Sequence, residues 1–245
     1  TNQALPSGIT SAYKAKYSPD GTRLFFSNSG KIYMYDTTTQ PYTLLTSVSI
    51  SSFADMDISP DGKYIAISRA YSNASLSTGV YIYSIGASSL TRKSSVIPTT
   101  AKATSNGYCW SCSFSADSSK LIVYHSSGSF FVFNVSTAST WTYTSVKLAS
   151  NVKLLHLQFS PDSTKVVGLN EMTYTAQSTY IYDATNSYAE VTSSYLKLKT
   201  GKVTDANGDN IVYSPDGGYL AMCFATDKRY TNTNSYLVVY DTTTT

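Results

Sequence analysis

A four-residue phrase returns five times along this chain of 245 residues. Ser18-Pro19-Asp20-Gly21, Ser59-Pro60-Asp61-Gly62 and Ser214-Pro215-Asp216-Gly217 are intact copies. Ser115-Ala116-Asp117-Ser118 and Ser160-Pro161-Asp162-Ser163 are altered ones. The serines are spaced 41, 56, 45 and 54 residues apart. Self-similarity at that period marks an array of supersecondary units that bury their apolar faces against one another.

The phrase reads as a tight turn. Pro presets φ for the second position of a type I turn, Asp suits the third, and Gly takes the left-handed conformation that follows. Such a turn with its bulge closes a β-hairpin. An apolar or aromatic residue precedes each copy: Tyr17, Ile58, Phe114, Phe159 and Tyr213. An apolar run follows each, from Leu24-Phe25-Phe26 to Tyr219-Leu220-Ala221-Met222. Each phrase therefore joins two strands. A third strand ends alike in each copy, at Tyr35-Asp36, Tyr83-Ser84, Phe133-Asn134, Tyr182-Asp183 and Tyr240-Asp241. Weaker fourth strands are expected near residues 42–47, 90–96, 141–147 and 189–198.

Strand, S-P-D-G turn, strand, loop and an apolar strand ending in Tyr-Asp resemble the WD-repeat-like β-propeller superfamily. The likeness is to its degenerate S-P-D-G type, since neither Trp110 nor Trp141 precedes an Asp. It covers essentially the whole chain and implies an all-β propeller, while saying little about function. Five copies predict one domain over residues 1–245, with five blades of four antiparallel strands near residues 11–47, 53–97, 108–148, 153–199 and 208–241. The last copy holds three strands, and residues 4–10 are expected to complete it and close the ring. The rival is five repeats cut from a larger propeller.

Composition narrows the partners. Tyr, Ser and Thr favour strands, and the charged fraction is only 13% with a net charge of +3 and no basic block. Nucleic acid is not the expected partner, and no apolar run approaches the length of a membrane span. The chain starts at Thr1 without a charged-then-apolar leader, which fits either a removed signal peptide or a fragment. Low charge with a Thr, Ser and Tyr excess is similar to phage and other virion-surface proteins carrying S-P-D-G repeats. An extracellular or virion-surface location is the expectation.

The resemblance puts the first strand of each blade along a channel and the turns on one face. The second-to-third loops then share the opposite face with the connections between blades. These loops vary most, and variable loops on a rigid scaffold usually carry function. Arg69, Tyr71, Asn73, Tyr174, Gln177, Arg229, Tyr230 and Asn232 are the candidate binding residues there, of the types that antibody loops use. The alternative is that a Tyr- and Ser-rich chain fills any loop this way.

A second candidate lies in the channel. Four and two residues before the turn serines stand Lys14 and Lys16, Asp55 and Asp57, Ser111 and Ser113, His156 and Gln158, Asn210 and Val212. Two lysines can face two aspartates across neighbouring strands, as a polar mouth for a ligand or ion or as a structural ion-pair network. Asp205, Asn207 and Asp209 place oxygen at alternate positions, as Ca²⁺ loops do, but the later Glu of the full signature is missing and such residues also make ordinary turns.

Catalytic signals are sparse. Of fifteen carboxylates, five sit in the turn phrase and three end the third strands, leaving few for the paired acids of a glycosidase. No nucleophile elbow, phosphate loop or dinucleotide fingerprint occurs, so no cofactor is expected. Cys109 and Cys112 form one C-x-x-C, readable as a redox or metal half-site or as strand packing with the two residues on opposite faces. Asn73-Ala74-Ser75 and Asn134-Val135-Ser136 fit the glycosylation pattern. The leading expectation is a non-enzymatic binding or scaffolding module whose partners are other proteins, including subunits of a larger assembly. A carbohydrate-binding propeller is the alternative, and a five-bladed hydrolase the next.

Overall fold

A computed structural model describes residues 11–28, 30–70, 79–94, 96–97, 107–149, 152, 154–170, 179–191, 211–225 and 235–242. They form five antiparallel sheets in chain order, each with its strands laid side by side in sequence. Sheet I holds β1 (Lys14–Tyr17), β2 (Arg23–Ser27), β3 (Lys31–Asp36) and β4 (Thr43–Ser49). Sheet II holds β5 (Phe53–Ile58), β6 (Tyr64–Arg69), β7 (Val80–Ile85) and β8 (Leu90–Arg92). Sheet III holds β9 (Cys109–Phe114), β10 (Lys120–His125), β11 (Ser129–Asn134) and β12 (Tyr143–Lys147). Sheet IV holds β13 (Leu154–Phe159), β14 (Lys165–Asn170), β15 (Thr179–Asp183) and β16 (Ala189–Glu190). Sheet V holds β17 (Ile211–Tyr213), β18 (Tyr219–Ala225) and β19 (Ser235–Asp241).

The turn phrase folds identically in all five copies because its side chains replace missing backbone bonds. In the first, Ser18 Oγ donates to Asp20 Oδ1 at 2.6 Å and accepts from Arg23 N at 2.9 Å. Asp20 Oδ1 also accepts from Thr22 N at 3.0 Å. Serines 59, 115, 160 and 214 make the same pair of bonds. The fourth position has positive φ throughout, at Gly21, Gly62, Ser118, Ser163 and Gly217. An L-residue there is strained by about 1 kcal/mol. Ser118 and Ser163 offset that cost with a bond no Gly can make. Ser118 Oγ accepts from Asp61 N of the preceding sheet at 2.9 Å, and Ser163 Oγ from Ala116 N at 2.8 Å. The altered copies are thus clasps between neighbouring sheets. The third-strand aspartates serve the same end of the sheet: Asp36 accepts from Thr38 N and Oγ1, while Thr37 Oγ1 donates to Gly21 O at 2.6 Å.

Burial shows how the sheets stack. The second strands of sheets II, III and IV are covered on both faces, and alternate residues enter different seams. Leu121 and Val123 pack toward sheet II with Ala66, Ile82 and Trp141. Their neighbours Ile122 and Tyr124 pack toward sheet IV with Leu157 and Val166. Phe25 and Met34 meet Met56 and Ile67 between sheets I and II. Val167 and Leu169 meet Leu220 and Met222 between IV and V. Period-two alternation thus fills four successive seams. Sheet V is covered on one face only among the described residues: Leu220 and Met222 are fully buried, while Leu237 and Val239 are 68% and 57% exposed.

Three first strands carry the same irregularity. The register shifts between Phe53 and Asp55, between Leu154 and His156, and on β9 where Tyr124 pairs Ser111 and His125 pairs Cys109. Each bulge falls five residues before the turn serine, at Ala54, Trp110 and Leu155. A bulge puts two residues opposite one and re-aims the chain. It also corrects the expected placement of the cysteines. The shift at Trp110 brings Cys109 onto the face of Cys112, and both are buried in one seam as free thiols.

The outer strands are shorter than expected: β8 stops at Arg92 and β12 starts at Tyr143. Trp141 precedes β12 because its ring plugs the seam between sheets II and III. It stacks edge-on to Tyr64 at 5.6 Å, and its N–H donates to Ser136 O at 2.9 Å. The expected strand over residues 4–10 and the stretch 192–198 lie outside the described residues.

Candidate functional site

Residues of the first strands β1, β5, β9, β13 and β17 line a cavity of about 430 Å³. Lys14 is paired to Asp55, and Lys16 Nζ donates to Asp57 Oδ1 at 2.7 Å. Both pairs link sheet I to sheet II. Asp55 also reaches sheet III, where its Oδ2 accepts from Ser111 Oγ at 3.0 Å and from Cys112 N at 3.2 Å. Its Oδ1 accepts from Met56 N as well. Asp57 Oδ2 accepts from Phe114 N at 2.7 Å. Ser111 Oγ continues the chain by accepting from Leu157 N of sheet IV at 3.1 Å. The cluster therefore stitches four sheets together.

Electrostatics follow from this geometry. Burial pushes the Asp55 carboxyl up, but the charge and hydrogen bond of Lys14, with help from His156 and Lys16, hold it below the usual range. Burial works against the Lys16 ammonium, yet Asp57 raises it above its ordinary value despite Lys14. His156 and Gln158 also line the cavity. The expected channel residues Lys14, Lys16, Asp55, Asp57 and His156 are thus brought together, while Asn210 lies outside the described residues. Asp55 and Asp57 face one cavity, as a hydrolase reading asks, but each is held by a lysine and by backbone N–H groups.

The opposite end carries the long connections. Arg69, expected on the loop itself, is the last residue of β6 and is only 6% exposed. Its Nε donates to Ser51 O at 2.8 Å and its Nη1 to Tyr81 Oη at 2.6 Å, while Nη2 bonds Ser51 Oγ. Its guanidinium lies over the Tyr81 ring at 4.4 Å, and that of Arg92 at 3.6 Å. A planar fork with stacking suits this task. Arg69 anchors the base of the loop instead of offering itself at the surface. Tyr71, Asn73, Tyr174, Gln177, Arg229, Tyr230 and Asn232 lie outside the described residues.

This end also presents aromatic side chains that fixed-spacing reasoning missed. Tyr13 stacks on Phe53 at 6.4 Å across sheets I and II, and Tyr108 lies against Trp110 at 5.1 Å. Tyr13 is 58% and Tyr108 37% exposed. Both stand where the first strands enter, beside the second-to-third loops.

Other motifs resolve into structure or fall elsewhere. Burial pushes the Cys109 thiol up to about 12 and that of Cys112 well above its usual value, conditions unsuited to thiolate chemistry. The candidate Ca²⁺ loop at Asp205, Asn207 and Asp209 lies outside the described residues. Among those described, no group of three His, Cys, Asp or Glu could hold a metal. No described helix is long and apolar enough to cross a membrane. Asn134 is tied into its sheet, its amide donating to Thr142 Oγ1 at 2.7 Å.

No family profile matches the sequence. Over 115 residues, 47% of this chain, it is 27% identical to a Protein LST8 homolog of Drosophila pseudoobscura pseudoobscura. The chain spans about a third of that relative's length, 35%. The fold is similar to Kuenenia stuttgartiensis Hydrazine Synthase, with a TM-score of 0.70 at 18% identity, over 98% of this chain and 67% of that one. With the sheets described above, these likenesses support an all-β, propeller-like fold of the WD-repeat-like kind.

Proposed function

We propose that this chain is a non-enzymatic protein-binding or scaffolding propeller that docks its partner on the loop end. The observation that carries the reading is the pair of aromatic contacts, Tyr13 with Phe53 and Tyr108 with Trp110, half-open at the end of the sheets opposite the turns. Aromatic anchors dominate binding energy at protein interfaces. Tyr71, Asn73, Tyr174, Gln177, Arg229, Tyr230 and Asn232, which the sequence puts in the second-to-third connections, are the further contact residues of this proposal. The WD-repeat-like likeness supports protein partners, and the pairing of Asp55 and Asp57 with Lys14 and Lys16 supports a non-catalytic role. The partner is a subunit of a larger assembly, at a virion or cell surface.

In this reading the five sheets are the five blades of one domain, 1–245. Residues 4–10 add a fourth strand to the free edge of β19, so that sheets V and I close the ring. A cavity bordered by both β1 and β17 supports this arrangement. Closure removes sheet edges that would otherwise invite aggregation.

Cross-linking mass spectrometry of the protein with its neighbours in native extract tests the docking face. Lys31 and Lys147 mark the loop end, and Lys63 and Lys165 the turn end; all four are exposed. Cross-links to one recurrent partner are expected at Lys31 and Lys147. Cross-links confined to Lys63 and Lys165 contradict the proposal. A specific glycan-array hit lost in Tyr71→Ala and Tyr230→Ala would instead favour a lectin-like domain.

A further inference from the structure

The charges of this protein are sorted by end. The aspartates of the turn phrases stand at the turn end, together with Asp36, Asp183 and Asp241 closing third strands and Glu190 opposite Tyr182. They outnumber the cations there, Arg23, Lys63, Lys120 and Lys165, and Lys63 is already paired to Asp61 at 2.9 Å. Asp55 and Asp57 lie in the channel with Lys14 and Lys16. Among the described residues the loop half of the sheets therefore carries no carboxylate outside the channel. Lys31, Lys147, Arg69 and the guanidinium of Arg92 stand there.

Arg92 is exposed on β8, the outer strand of sheet II. Its guanidinium lies over the Tyr81 ring at 3.6 Å. The buried Arg69 shares that ring at 4.4 Å and donates to its hydroxyl at 2.6 Å. Arg69 thus fixes the ring, and the ring holds Arg92. A guanidinium held through its face keeps its five N–H donors at its edge. Among the described residues none accepts from those of Arg92. Arg69 turns its own donors inward, to Ser51 and Tyr81. Its charge therefore adds to the local positive field without competing for what Arg92 binds.

We propose that Arg92 is a receptor for a carboxylate side chain on an acidic segment of the protein partner. The inference rests on the reading that the partner docks at the loop end, and it names the chemistry of that partner. A free, pre-oriented guanidinium fork matches a carboxylate with two parallel hydrogen bonds. A nucleic acid fits less well, because it needs a run of phosphate contacts and this chain has a net charge of only +3 with no basic block.

Fluorescence anisotropy of the full chain with a labelled octaglutamate peptide tests the assignment, with a labelled oligothymidine of the same length compared. The peptide is expected to bind saturably, and less tightly as salt is added. Arg92→Gln should weaken it about fivefold, the scale of one well-formed surface ion pair, with an unchanged melting temperature. Arg92→Lys keeps the charge but loses the fork, and should recover little of that loss. Lys165→Gln at the turn end should leave binding as it is. No saturable peptide binding, undiminished binding in Arg92→Gln, full recovery in Arg92→Lys or tighter binding of the oligothymidine would overturn the proposal. The titration needs no natural partner, so its failure is distinct from failure of the docking face, which the cross-links at Lys31 and Lys147 read.

Discussion

At the turn end of the sheets five copies of one sequence phrase make the same hydrogen bonds, whereas at the loop end the connections differ in length and content. The β2–β3 and β10–β11 connections are three residues long, and the other three run from eight to ten. At the turn end a Ser and an Asp satisfy the backbone in each copy, so the sequence there is dictated by the fold. At the loop end the ladder asks only that the chain return, and composition is free to serve a partner. Even so, the base is fixed: Arg69 is buried against Ser51 and Tyr81 so that what lies beyond it starts from a defined position. A rigid scaffold with one constant and one variable end explains how a single repeat can be kept while its binding surface changes.

The largest way to break this contrast is at the centre, where the channel cluster joins the sheets. Asp55→Ala leaves Lys14 buried without its carboxylate and should cost about 3–5 kcal/mol, read as a large drop in denaturation midpoint. Acid should act on the same groups. The carboxyls of Asp55, Asp61, Asp117, Asp162 and Asp216 are held below 3.8, and that of Asp20 is lowered to about 2, chiefly by the hydrogen bond from Ser18. Folded carboxyls with depressed pKa contribute stability that is present above the unfolded value and lost as pH falls toward the folded one. Melting temperature should hold from neutral pH down to about 5 and fall steeply below about 4.

A smaller effect is expected within one turn. Ser160→Ala removes the bonds to Asp162 and Lys165 N and should destabilise by about 1–2 kcal/mol in chemical unfolding. The clasp gives a finer test. Ser118→Ala keeps the left-handed strain and loses the bond to Asp61 N, for about 1 kcal/mol. Ser118→Gly relieves the strain while losing the same bond, and should be nearly neutral. A Ser118→Ala variant as stable as the parent would show that the inter-sheet bond contributes nothing, and equal losses in the two variants would show that the strain does not.

The parts of this fold that could be read from the sequence are the local ones. A turn whose bonds span five residues leaves its whole signature in one phrase, and alternation after it marks the strand. Lys14, Lys16, Asp55 and Asp57 could be placed on facing strands because each stands at a fixed distance from its turn. The bulges could not be read, because they are decided by pairing with the second strand. They also explain why the aromatic pair escaped notice. Tyr13 lies five residues before its turn serine and Phe53 six before its own, and the extra residue is the bulge at Ala54. Counting at fixed spacing puts the two rings out of step, although they stack. The same one-residue shift returns Cys109 to the face of Cys112.

The central claim, that the constant end is structure and the variable end is recognition, is tested most directly by comparing the two ends against one partner. The partner identified by cross-linking would be titrated against Tyr13→Ala/Tyr108→Ala at the loop end and Pro60→Ala/Pro215→Ala at the turn end. Loss of an aromatic anchor at an interface costs about 2 kcal/mol or more. The account predicts at least a tenfold weakening for the loop-end variant, with its stability little changed, and unchanged binding for the turn-end variant. Undiminished binding by Tyr13→Ala/Tyr108→Ala, with loss confined to the turn-end variant, would contradict it.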